Sequence, residues 1–341
     1  MGIKGLTTFM NSNPQLMEEI RLHDTEVVID GNSLYHFIFY YNQLDFIHGG
    51  DYDQFADKII KFFKLFHCCN IQPYIVFDGG NDANDMKFQT NRKRMKERLE
   101  MAMQLAKGYK GNCKVMPIMA FDTFKAVLKE IKIPFAVCDF EADKEIAKLA
   151  NRLNCPVLSN DSDFYIFPLT PGFIPLDSVC FPEEETRIVN DGLEKFLTAR
   201  IYHVNKFVDF FPLLGRNVLP LLALLLGNDY VDIQIFKPFY SSIWRYEGDT
   251  QFRSIPITDK RTHKVLLWLE SLKTYENGIS PIKSKALTPQ QLETISSALD
   301  RTIEVFTFNA TDSEFSLFPY FKQDSSAIAK QIRWQKGSMN L

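Results

Sequence analysis

The sequence predicts an α/β fold: a mostly parallel, twisted sheet flanked by helices, with a mainly helical carboxyl-terminal extension. Three observations carry this. Short apolar, β-branched runs alternate with helix-period segments as far as residue 167. Several of those runs stop directly at acidic residues. Beyond Asp232 the strand signals cease and helical patterns take over. The expected division is a core over residues 1–232 and a helical region over 233–341.

Taken in order, the chain opens with Gly2-Ile3-Lys4-Gly5 and a short helical pattern. Thr25 to Ile29 reads as a strand ending at Asp30-Gly31-Asn32, with a helix to Tyr41. Asp53 to Cys69 repeats Phe55, Ile59, Phe62, Phe63 and Phe66 at helical spacing. Tyr74 to Phe77 is a second strand and ends at Asp78-Gly79-Gly80. A helix over Lys87 to Lys107 follows, with Lys87, Arg92, Lys93, Arg94, Lys96 and Arg98 early in it. Its predicted apolar stripe is Met95, Leu99, Ala102, Met103 and Ala106.

Phe121 to Ile131 is predicted helical and Pro134 to Cys138 a third strand, followed by Glu141, Asp143 and a helix to Leu153. Pro156 to Leu158 is a buried strand that runs into Asp161 and Asp163, and Phe164 to Phe167 reads as another strand. Thr170 to Arg187 is turn-rich and reads as a β excursion. Helical patterns cover Val204 to Phe211, Asn217 to Leu226, Phe236 to Trp244, His263 to Leu272 and Pro289 to Phe306.

Composition narrows the function classes. The longest apolar run, Val218 to Leu226, is too short to cross a bilayer and contains Pro220. No basic-then-apolar leader opens the chain. Leu6 stands where a myristoylation motif wants Ser or Thr. The six cysteines form no C-x-x-C pair, which argues for reduced thiols over zinc or a disulfide framework. A net charge of -3 speaks against nucleic acid only until acids engaged with cations are set aside; basic residues are then in excess.

The acids at strand ends have two readings. Each alone serves as a helix cap or a turn former. In a parallel sheet, however, strand ends share one edge, where such folds place their ligands. Asp30, Asp78, Glu141, Asp143, Asp161 and Asp163 would then crowd together and need cations to stay ionised. Oxygen-only donors suit Mg2+, with Mn2+ as a substitute, and two such ions activate water against a phosphodiester. The basic helix after Asp78 is either a solvated face or a phosphate contact.

In order along the chain stand Met1-Gly2-Ile3-Lys4-Gly5-Leu6, Val28-Ile29-Asp30-Gly31, Phe77-Asp78-Gly79, Glu141-Ala142-Asp143, Asn160-Asp161-Ser162-Asp163 and Leu226-Gly227-Asn228-Asp229-Tyr230. This ordered set resembles the flap endonuclease/XPG superfamily of PIN-like nucleases, and its details resemble the asteroid subfamily. The resemblance implies a PIN-like sheet and a metal-dependent, structure-specific DNA nuclease of DNA repair. It makes Asp30, Asp78, Glu141, Asp143, Asp161, Asp163 and Asp229 the metal carboxylates, and Asp229 enters through the resemblance alone. Asp161, Asp163 and Asp229 would surround one ion, the other acids its neighbour.

The resemblance also puts a Lys and an Arg of the basic helix at the scissile phosphate, matched here by Lys87 and Arg92. Gly2 is a candidate DNA contact, and Lys93 and Lys96 extend the basic track. It implies a nuclear location, with the cytoplasm as a further compartment, and DNA-repair proteins as partners. No membrane contact is expected.

Two departures shape the expected substrate. Val231 to Lys237 lacks the glycines of the family's duplex-gripping, potassium-binding segment, and the stretch between Leu105 and Phe121 is short for a full flap-threading arch. Both point to single-stranded DNA, overhangs or flaps over duplex. The rival is a catalytically weak scaffold of the same fold that binds protein or nucleic acid, such as an RNA-binding regulator. Retention of all the acids favours the nuclease.

Overall fold

The computed structural model describes residues 2–80, 88–108, 113–182, 188–190, 195–211, 213–231, 233–243, 257–272 and 274–307, together with Leu317 and Phe321. Lys87 and Asp232 lie outside the described residues.

The chain forms α1 (Leu6–Ser12) and β1 (Met17–Leu22), then β2 (Thr25–Asp30), α2 (Gly31–Tyr41) and α3 (Tyr52–Cys68). Next come β3 (Ile71–Phe77), α4 (Phe88–Ala106), α5 (Ala120–Glu130), β4 (Phe135–Val137) and α6 (Asp143–Leu153). After β5 (Val157–Ser159) follow β6 (Phe173–Pro175), β7 (Val189–Asn190) and β8 (Lys195–Tyr202). The remaining helices are α7 (Val204–Phe210), α8 (Leu219–Leu226), α9 (Lys237–Ile243), α10 (Ile257–Glu270), α11 (Tyr275–Lys283) and α12 (Pro289–Phe306).

The sheet runs β1-β8-β6-β5-β2-β3-β4, with β7 paired to β8. The pairs from β6 through β5, β2 and β3 to β4 are parallel, whereas β8 is antiparallel to β1 and β6. Side chains alternate across the pleat. Val28, Val76 and Val157 therefore enter one apolar layer, and Ile29, Ile75, Phe77 and Leu158 enter the other. Burial on both faces explains why these strands read as continuous apolar runs.

Every residue of α8 is buried, as expected for a helix that is apolar all round. Leu266, Leu269, Ile282, Ile295, Leu299 and Phe306, from α10 to α12, share its cluster with Val28 and Val157. The described helices beyond residue 233 therefore complete one of the two layers that cover the sheet.

Four expectations change. The strand expected over Phe164 to Phe167 is instead a 3-10 turn, Ser162–Tyr165, because the Asp161 carboxylate caps it by accepting from the Asp163 N–H at 3.1 Å. Its apolar residues are buried all round, so their spacing carries no period. Secondly, β1 and β8 were not expected; charged residues such as Glu18, Glu19 and Arg200 interrupt their apolar pattern. Thirdly, α11 was not expected, and Pro281 lies inside it. Fourthly, the apolar stripe of α4 does not pack: Met95, Leu99 and Met103 are exposed.

Candidate active site

The register places the site. Ile29 pairs with Leu158 and Asp30 with Val76, so the carboxyl ends of β2, β3 and β5 are level. Asp30 ends β2 and caps α2, its Oδ1 accepting from the Ser33 N–H at 3.0 Å. Its Oδ2 accepts from Ser159 Oγ at 2.7 Å. Asp30 is only 8% exposed. Burial, and then the charges of Asp78 and Asp161, push its carboxyl up to about 7 against the pull of those two hydrogen bonds.

The loops after β3 and β4 are locked together by backbone. Gly79 N donates to Phe140 O at 2.7 Å and Gly80 N to Asp139 O at 2.9 Å. A Cβ on Gly79 would lie 1.8 Å from Cys138 O, so only glycine permits this approach. Asp78 thereby reaches the start of α6. Its Oδ1 accepts from the Ala142 N–H at 2.8 Å, and its Oδ2 from Asn32 Nδ2 at 2.5 Å. Asp143 is the first residue of α6 and Glu141 is exposed just before it. Burial, with Glu145, Asp78, Asp139 and Asp143 nearby, pushes the Cys138 thiol up to about 12.

The amino-terminal segment closes the other side. Gly2 (φ 79°) is pressed onto the 3-10 turn, where an added Cβ would lie 2.1 Å from Asp161 Oδ1 and 2.8 Å from Asp163 Oδ1. Ser162 Oγ donates to Ile3 O at 3.2 Å, and Lys4 N donates to Gly227 O at 2.9 Å. The segment thus ties the Asp161 turn to the loop after α8 that carries Asp229. Asp163 is buried and Asp229 half-buried.

Basic helix α4 docks on that same loop. Thr90 Oγ1 donates to Asp229 O at 2.8 Å, and Arg94 Nη2 to Asp229 Oδ1 at 2.5 Å. Arg92, Lys93 and Lys96 point to solvent. Lys87 lies outside the described residues. Arg94 is thus the α4 cation that meets the acids, a role the sequence reading did not assign. Thr90 and Arg94 stand four apart, on one helix face, but which face of α4 meets the loop after α8 is decided by tertiary packing alone. Ser33, Asn32 and Ser159 were missed as well, being ordinary polar neighbours in the sequence.

Beside the acids, α2 carries Tyr35, His36 and Tyr40 on one side. Tyr35 and His36 lie 4.4 Å apart between ring centroids, and His36 stacks on Tyr40 at 6.0 Å. Lys114 Nζ stands 5.3 Å from the Tyr40 ring. Burial, and then the Arg98 charge, lower the His36 pKa to about 4.

The donor chemistry fits a hard divalent cation, since the side chains here are carboxylates and hydroxyls. The pressure of Asp78 and Asp161 on Asp30 is the repulsion that a cation relieves. Among the described residues, however, no three acidic, His or Cys side chains stand close enough to enclose an ion. The acids share an edge, and Asn32 and Arg94 occupy oxygens of Asp78 and Asp229.

Residues 1–101 match the XPG N-terminal domain. The single-strand DNA endonuclease ASTE1 of Homo sapiens is 38% identical over 278 residues, covering 81% of this chain and 40% of that protein. Protein asteroid of Drosophila melanogaster is 27% identical over 94% of this chain and 43% of its own length. Residues 1–101 thus carry the XPG N-terminal domain, and the chain is similar to asteroid proteins over most of its own length. It spans less than half the length of these asteroid relatives. Among solved structures, the catalytic core of Rad2 in complex with DNA substrate aligns over 93% of this chain and 99% of its own, at 17% identity and a TM-score of 0.47.

Proposed function

We propose that this chain is a divalent-metal-dependent nuclease that cuts DNA, favouring single strands, overhangs or flaps. The observation that carries the reading is the gathering of Asp30, Asp78, Asp161 and Asp163 at one sheet edge, with Asp229 and Arg94 beside them. Two Mg2+ ions held by Asp30, Asp78, Glu141, Asp143, Asp161, Asp163 and Asp229 would supply an activated water and neutralise the leaving oxygen.

The protein's own groups supply the rest. Arg94 is placed to exchange its carboxylate for a phosphate, to which a guanidinium binds equally well. Tyr35, His36 and Tyr40, with Lys114 and Arg98 close by, offer flat faces and positive charge, which suit unpaired bases and their backbone. The preference for single strands draws on three supports: that surface, the glycine-free Val231 to Lys237 stretch, and the short link between α4 and α5. The human relative, a single-strand DNA endonuclease by name, agrees with it. A DNA-repair role with repair proteins as partners, and a nuclear location, belong to the same reading.

The test uses purified protein and end-labelled single-stranded, overhang, flap and duplex DNA, with Mg2+, Mn2+ or chelator. Metal-dependent cutting of the single-stranded forms, lost in Asp161→Ala/Asp163→Ala, is the expected result. Binding without cutting, unchanged in that variant, would sink the nuclease in favour of the scaffold.

A further inference from the structure

We infer that Ser159 is a positioning residue: its buried hydroxyl couples the acid at the end of β2 to the acid turn after β5. Ser159 is the last residue of β5 and 0% exposed. Two polar groups meet its oxygen. The Asp161 N–H donates to Ser159 Oγ at 2.9 Å, and Ser159 Oγ lies 2.7 Å from Asp30 Oδ2. A backbone N–H only donates, so Oγ is the acceptor toward Asp161. Its own proton then goes to the Asp30 carboxylate. One hydroxyl thus sets the direction of a relay from the Asp161 backbone to the Asp30 side chain.

Ser33 makes the second strut of the same brace. Its N–H donates to Asp30 Oδ1 at 3.0 Å, while its Oγ accepts from the Asn160 N–H at 2.8 Å. Asn160 is anchored in turn by a reciprocal pair with Asp177: Asn160 Nδ2 donates to Asp177 Oδ1 at 3.0 Å, and Asp177 N donates to Asn160 Oδ1 at 3.1 Å. Both oxygens of Asp30 are therefore oriented by one donor each. Each oxygen keeps a second lone pair for a cation. Asp161 Oδ1 is oriented by the Asp163 N–H of the Ser162–Tyr165 turn, whose cap Asp161 stands two residues after Ser159. The serine is thus the shared support of two acids that come from different strands.

Groups that orient metal-binding carboxylates are worth roughly 10–100-fold in metal affinity. The inference rests on the metal-binding reading above and extends it from the carboxylates to the hydroxyl that supports two of them. Ser159→Ala removes the donor to Asp30 and the acceptor for Asp161 without adding volume. Ser159→Cys keeps nearly the same shape with a weaker donor.

The test is calorimetric titration of Mn2+ into wild type, Ser159→Cys, Ser159→Ala and Asp161→Ala without DNA, with a thermal melt of each sample. Affinity falling in the order Ser, Cys, Ala, with Ala at least about ten-fold weaker, is the expected result. Wild-type affinity in a folded Ser159→Ala overturns the inference and leaves the metal site standing. Should the alanine variant not fold, wild-type affinity in Ser159→Cys does the same. Wild type that takes up no more Mn2+ than Asp161→Ala removes the metal reading itself, and this inference with it.

Discussion

Arg94 of α4 donates to Oδ1 of Asp229 at 2.5 Å, joining the basic helix to an acid expected to hold metal. The guanidinium stands in the place of a cation, and both partners are largely withdrawn from water. Removing one member of such a pair leaves the other charge poorly solvated. Arg94→Ala is therefore expected to lower the Tm of the metal-free protein by a few degrees, about 1 kcal/mol. Mg2+ should restore more of the Tm in the variant than it adds to wild type, because the ion replaces the lost charge. Melts in chelator and in Mg2+ measure this; equal increments in both proteins would show that cation and guanidinium do not share Asp229.

Gly2 stands at φ 79° with its Cα facing three polar side-chain atoms of the acid turn. Gly2→Ala places a methyl 2.1 Å from Asp161 Oδ1, in addition to the roughly 1–2 kcal/mol cost of the left-handed backbone for a residue with a Cβ. The expected result is at least ten-fold weaker Mn2+ binding, as the Ser162–Ile3 and Lys4–Gly227 bonds are lost. Gly49→Ala is the control. Gly49 has φ 98° but nothing within 4 Å of its added Cβ, so only the backbone cost applies. Titration of the two variants separates steric from conformational effects.

How much of this is legible in the sequence follows from the period of each segment. Val28-Ile29-Asp30 and Tyr74 to Phe77 announce themselves because strands covered on both faces are continuously apolar and end abruptly. Their parallel pairing then brings Asp30 and Asp78 to one edge without further information. Glu18, Glu19 and Arg21 hid β1 because an edge strand next to β8 does not need apolar residues on both faces. Phe164 to Phe167 misled because a turn sunk in the core is as apolar as a strand. Arg94 could not be chosen over Arg92 from sequence, since the choice depends on which face of α4 meets the loop after α8. The relay through Ser159 needs two strands in register and has no signature within either one.

His36 and Asp30 make opposing contributions to the pH dependence of the metal-free fold. His36 has its pKa lowered from 6.5 to about 4, mainly by burial, so the unfolded chain binds more protons between those values. Its stability contribution is complete above pH 6.5 and is lost as pH falls toward 4. Asp30 has its pKa raised from 3.8 to about 7, again mainly by burial, so the folded chain binds more protons in that window. That contribution is complete below pH 3.8 and is lost as pH rises toward 7. The two slopes largely cancel in wild type. His36→Gln should therefore lose stability on going from pH 4.5 to 6.5, and Asp30→Asn should gain it, each by on the order of 2 kcal/mol. Urea midpoints in chelator at the two pH values report the signs. Parallel profiles for all three proteins would contradict the assignment.

The adjacent glycines Gly79 and Gly80 differ sharply in what a side chain would meet. A Cβ on Gly79 would lie 1.8 Å from Cys138 O and 2.5 Å from Asp139 O, both backbone atoms of the loop after β4. Neither can swing aside as a flexible side chain would. A Cβ on Gly80 meets Asp139 O at 3.7 Å, an ordinary contact. Gly79→Ala must therefore separate the two loops, breaking the Gly79–Phe140 bond and drawing Asp78 away from the Ala142 N–H. That contact is what brings the acid of β3 to the acids at the start of α6. The expected result is destabilisation by about 3 kcal/mol or more with cleavage down by at least 100-fold, since a displacement of about 1 Å in a positioned group costs that much. Gly80→Ala should stay within about 1 kcal/mol of wild type and retain activity. Urea unfolding and single-turnover cleavage on the same pair of variants decide it. Equal tolerance at both positions would mean that the two loops are not held together by this approach, and that Asp78 reaches Ala142 by other means.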